Sequence, residues 1–95
     1  MALFTFVLDY RGGTYLDQME GPDPRAALLS WAATTSLDRI AGLSEKSRVA
    51  FQRAMSLTRP IAVTQVSNVW CASGIVRGHL ALVHFVETVP RSGAQ

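Results

Sequence analysis

The pair Gly12-Gly13 constrains this chain more than any other feature, because the runs on either side of it alternate as strands do. From Leu3 to Tyr10, the residues Phe4, Phe6, Leu8 and Tyr10 fall on one face, and Leu3, Thr5, Val7 and Asp9 on the other. Thr14 to Glu20 reads as the antiparallel return, adding Tyr15 and Met19 to the aromatic face opposite Tyr10 and Phe6. A two-residue hairpin turn demands positive φ angles, which glycine adopts without steric cost, so the spacing predicts a hairpin with Gly12-Gly13 at its tip.

Gly21-Pro22-Asp23-Pro24 ends the second run and opens a helix. Asp23 suits the N-cap, and Pro24 suits the first helical position, where its missing N–H would have no partner anyway. Arg25 to Thr34 is rich in alanine and leucine and carries Trp31, so this helix is expected to be largely buried. Thr34, Thr35 and Ser36 weaken it, and Gly42 punctuates a short turn. Ser44 can cap a second helix running to about Leu57, with Ser47, Ala50, Phe51, Ala54 and Met55 on its inner face. Arg59-Pro60 ends it. Ile61 to Val76 reads as one long strand or a strand with a bulge, and His79 to Val89 as its return. Of the competing turns Ser73-Gly74 and Arg77-Gly78, the second matches the strand lengths and sets Trp70 opposite Phe85, leaving Gly74 as a bulge.

The order β-β-α-α-β-β predicts an α+β fold: a two-layer domain over residues 1–90, followed by a flexible tail over 91–95. Its sheet is expected to be four-stranded and mostly antiparallel, with both helices on one face. The strands are apolar on both faces: Leu80, Leu82 and Val86 project opposite to Ala81, Val83, Phe85 and Val89. Two short helices can cover only one face, so the other calls for a protein partner, and a second copy of the chain is the simplest.

Composition narrows the function classes. With 9 Lys and Arg against 7 Asp and Glu, the net charge is only +2, a weak field for a nucleic-acid binder. A single cysteine, Cys71, excludes an internal disulfide and any multi-thiolate metal site. No run of about eighteen apolar residues is present to span a membrane, and the N-terminal residues lack the basic and apolar regions of a secretory signal. A cytoplasmic location follows as an expectation. Arginine in place of lysine and abundant alanine fit a GC-rich bacterial genome.

Few residues suggest chemistry, and no cofactor or metal is expected. His79 and His84, five apart on one strand, point to opposite faces and cannot share a metal. Cys71 and His84 become cross-strand neighbours if the turn is Arg77-Gly78, and an imidazolium beside a thiol favours a thiolate nucleophile. No third group orients the imidazole, so a buried, inert thiol is the simpler reading, with a thiol-based enzyme ranked third among the functions. Asp9 and Asp17 face opposite sides of the first hairpin, which argues against an acid/base pair. Lys46, Arg48, Arg53 and Arg59, with Arg39, concentrate positive charge in the helical middle, where Tyr10, Tyr15 or Trp70 could add base stacking. These residues carry the alternative function, an RNA- or DNA-binding module. Phosphate-loop motifs of the G-x-x-x-x-G-K-[ST] and G-x-G-x-x-G types are absent.

The stretch FTFVLDYRGGTYLDQMEGPDPRAALLSWA, residues 4–32, resembles the hairpin-then-helix opening of HicB-like antitoxin domains. In both, an aspartate precedes a glycine-containing turn, an aromatic opens the return strand, and an alanine- and leucine-rich helix follows. This chain lacks the family's third strand before the helix and an appended DNA-binding segment. The resemblance implies an interaction module that blocks or recruits a partner. Together with the two-sided apolar strands, it makes a non-catalytic interaction domain, acting by protein–protein contact and self-association, the leading expectation.

Overall fold

The computed structural model describes residues 1–34 and 45–89, Glu45 by its backbone only. The expected turn at Gly42, the Ser44 cap, Arg39, and Pro90 with the 91–95 tail lie outside the described residues. The fold is α+β. Strands β1 (Ala2–Tyr10) and β2 (Gly13–Gly21) are followed by helices α1 (Pro24–Thr34) and α2 (Glu45–Leu57), then by β3 (Ile61–Ala62), β4 (Val69–Val76) and β5 (His79–Thr88). The sheet is antiparallel throughout, in the order β2-β1-β5-β4-β3. It therefore has five strands where the sequence predicts four.

The additional strand comes from dividing the run Ile61–Val76. After Ala62 the chain turns through residues 63–68, with Gln65 and Asn68 at positive φ (67° and 64°), and β3 pairs back along β4. The Val63 N–H donates to the Val69 carbonyl at 2.9 Å and closes this turn. Val63 and Val66 disguise it in the sequence, while Asn68, a residue that tolerates the left-handed region, is its local signal.

Both long hairpins turn on Arg-Gly. Arg11 and Gly12 have φ of 50° and 82°, and Arg77 and Gly78 have 52° and 84°, the positive pair of a type I′ turn. The first tip is thus Arg11-Gly12, not Gly12-Gly13. Gly12 supplies the positive φ, whereas Gly13 supplies space, since the Tyr15 ring occupies the volume a Cβ there would need. Tyr15 consequently pairs with Leu8 and Met19 with Phe4. Each partner has moved by two residues, which leaves the faces unchanged.

The second tip is Arg77-Gly78, as the strand lengths predict, and Trp70 does lie opposite Phe85. Pairing runs unbroken from Val69↔Val86 to Val76↔His79, so Gly74 is not a bulge. Its role is close approach: a Cβ on Gly74 would lie 3.0 Å from the Ala54 Cβ of α2.

Helix α1 starts as its sequence implies. The Ala26 N–H donates to Asp23 Oδ1 at 2.8 Å and the Ala27 N–H to the Asp23 carbonyl at 3.0 Å, with Pro24 at the first helical position. Both helices lie on the face that carries Phe4, Phe6, Leu8 and Tyr10. Trp31 stacks on Phe6 (4.7 Å between centroids, 5° between planes), and Phe51 of α2 meets Trp31 edge-on at 5.5 Å. Phe6 stacks in turn on Phe85 at 4.8 Å, and Phe85 on Trp70 at 5.9 Å. This aromatic pile is the centre of the core. All its rings are buried except Trp70, which ends the pile half-exposed.

Candidate functional site

The opposite face of the sheet carries no layer of described residues. Register places Leu16, Val7, His84, Cys71 and Ile61 in one row across all five strands. Leu82 and Val86 flank His84 on the same face, and Ile75 pairs with Leu80 toward the second tip. Leu16 and Ile61 on the edge strands, and Ile75 and Leu80 beside the second tip, are 56–66% exposed, while Val7, Cys71 and Leu82 on the inner strands are half-buried. Several polar side chains on this face pair with one another: Thr14 donates to Asp9 at 2.7 Å, Thr5 and Thr88 share a 2.6 Å hydrogen bond, and Gln18 donates to Thr5 at 3.0 Å. No lysine or arginine occupies a strand position. The face is thus a largely apolar field with a few polar side chains and no lysine or arginine on its strands.

Cys71 and His84 are directly opposite one another in this field, as the Arg77-Gly78 turn requires. The expectation of a buried thiol is corrected: Cys71 is half-buried and His84 exposed, because the helices cover the other face. Neither side chain makes a hydrogen bond among the described residues, so nothing orients the imidazole toward the thiol. A nucleophilic pair needs both a thiol–imidazole bond and a group orienting the base. His79 occupies the helix-side face, with its ring edge-on to Tyr10 at 6.2 Å. Asp9 and Asp17 likewise lie on opposite faces. The described residues contain no group of three His, Cys, Asp or Glu side chains that could hold a metal ion.

The basic residues do not form one patch. Lys46 and Arg53, seven apart on α2, share an exposed flank, whereas Arg48 lies half-buried on the other side of the buried Ser47–Phe51–Met55 stripe. Tyr10 is buried and unavailable for stacking. Arg59 stands beyond the helix, and there the structure makes a conjunction that sequence reasoning missed. Asp23, Pro24 and Arg25 from the start of α1, Arg59 and Pro60, and Trp70 of β4 surround an open cavity of about 280 Å³. Arg25 Nη1 donates to the Thr58 carbonyl at 3.2 Å, which ties the start of α1 to the segment before β3. Arg25 is 34 positions from Arg59 and 45 from Trp70, so no local pattern could group them.

Among the described residues, no helix is long and apolar enough to cross a membrane. A scan against family models and searches among curated proteins and solved structures found no match to this chain.

Proposed function

We propose that this chain is a small, non-catalytic interaction domain that works by protein–protein contact through the outer face of its sheet, with self-association as its basic form. The observation that carries the reading is the apolar row Leu16–Val7–His84–Cys71–Ile61 with Leu80 and Ile75 beside it, left in water by a two-layer fold. Strands about 4.8 Å apart and about eight residues long make a face on the order of 500 Å² in projection, and more once side chains are counted. A standard interface takes about 800 Å² from each partner, so this face is of the right scale to form most of one. The resemblance of residues 4–32 to an antitoxin-type interaction module points the same way.

Sedimentation velocity over a wide range of protein concentration tests the proposal. A dimer that dissociates on Leu80→Glu, with circular dichroism unchanged, supports it. A wild-type chain that stays strictly monomeric at high concentration removes the self-association part. The alternative, contact with RNA or DNA through Lys46, Arg48, Arg53 and Arg59, is supported by one observation only, the meeting of Arg59 with Trp70.

A further inference from the structure

We propose that the cavity bounded by Arg25, Arg59 and Trp70 binds a nucleoside phosphate, with the base against the Trp70 indole and the phosphate held by the two guanidinium groups. The indole is preorganised. Phe85 stacks on it at 5.9 Å and Phe4 meets it edge-on at 5.7 Å, so its position is set before any ligand arrives. It is also the one ring of the aromatic pile that reaches solvent. A fixed, half-exposed tryptophan offers a π-face to any base without selecting among them.

The guanidinium groups supply the anion's partners. Arg25 spends one N–H on the Thr58 carbonyl, which holds it at the cavity wall, and its remaining donors have no partner among the described residues. Arg59 is exposed and makes no ion pair among the described residues. Arginine's planar fork matches phosphate oxygens with two parallel hydrogen bonds. The one carboxylate in the wall, Asp23, accepts the Ala26 N–H at 2.8 Å as the cap of α1, so its charge faces the helix terminus. Two arginines against one aspartate leave an excess positive charge at the site.

The cavity is shallow and small, which suits one nucleotide unit more than a bulky ligand. The low net charge of the chain fits such local recognition better than a long polyanion track. Free mononucleotide and a nucleotide within a single strand share this chemistry. Trp70 projects from the helix side of the sheet, opposite the apolar field, so the site does not depend on the interaction reading and can be occupied while that face is covered.

Tryptophan fluorescence provides the test, because Trp31 is 2% exposed and serves as an internal reference for the accessible Trp70. Adenosine 5′-monophosphate and a single-stranded 12-mer are titrated at low salt, beside adenosine, inorganic phosphate and a phosphotyrosine peptide. The expected result is quenching by the mononucleotide, the 12-mer or both, with adenosine and phosphate alone at least tenfold weaker. Which of the two quenches identifies the source. Arg59→Ala, at an exposed position, is expected to weaken binding about tenfold, as loss of a charge-assisted contact does. Trp70→Phe should abolish the signal while leaving Trp31 emission unchanged. Absence of quenching by both nucleotide probes overturns the proposal, as does quenching by the phosphopeptide alone. Binding insensitive to Arg25→Ala and Arg59→Ala but lost on Lys46→Ala with Arg53→Ala also overturns it, moving the site to α2.

Discussion

The Tyr10 hydroxyl donates a buried hydrogen bond to the Val76 carbonyl at 3.1 Å, joining the tip of the first hairpin to the tip of the last. Between these strands runs β5, and the residue opposite Tyr10 there is Ala81, itself opposite Gly74. Small side chains along that row let the phenol ring lie across the sheet. The bond thus links residues 66 positions apart and holds two Arg-Gly turns at one end of the molecule.

Replacing Tyr10 with Phe removes this bond while keeping the ring, and leaves the Val76 carbonyl with the partner it has in the turn it closes with His79. Urea unfolding is expected to show a loss of about 1–2 kcal/mol with an unchanged m value. A midpoint equal to wild type would mean that the turn-closing bond to His79 satisfies the Val76 carbonyl by itself and that the tyrosine bond adds no net stability.

The type I′ turns carry arginine where asparagine or glycine is favoured. Arg11→Asn and Arg77→Asn are each expected to stabilise the fold by about 0.5 kcal/mol, since asparagine enters the left-handed region more readily. Thermal melts of both single variants and the double variant check this, and the increments should add unless the two turns interact directly.

Gly21 is buried where α1 folds back on β2, and a Cβ there would lie 2.8 Å from the Ala27 backbone nitrogen and 2.9 Å from its Cα. Backbone cannot step aside as a flexible side chain can. Gly21→Ala is therefore expected to cost about 1–3 kcal/mol in chemical denaturation, the scale of overpacking.

Cys71 reports on the outer face, because it lies between His84 and Ile61 in the central row. If that face is the self-association surface, the rate of Cys71 alkylation should fall as protein concentration rises. Leu80→Glu should then remove the concentration dependence. A rate independent of concentration, in a protein that sedimentation shows to be dimeric, would place the interface elsewhere.

Much of the fold is legible locally. Alternation assigns the faces of β1, β2 and β5, and the capping chemistry of Asp23-Pro24 starts α1 where it is found. The Arg77-Gly78 turn follows from strand length and brings Cys71 opposite His84. Local patterning misplaces the first turn by one residue, because Gly12 and Gly13 serve different ends and only the Tyr15 ring lying over Gly13 distinguishes them. It also misses β3, whose two residues are too few to show a period. Gly74 reads as a bulge until α2 is seen to press Ala54 against it.

The sequence by itself determined the strand and helix periodicities, the Arg77-Gly78 turn, the Asp23 cap and the excess of apolar strand residues, since each depends on neighbours within a few positions. Only the tertiary structure decided which sheet face the helices cover, and hence that Cys71 and His84 belong to the uncovered one. It alone brought Arg25 and Arg59 to Trp70. Such conjunctions arise from packing between segments far apart in the chain, whose joint placement no local preference encodes.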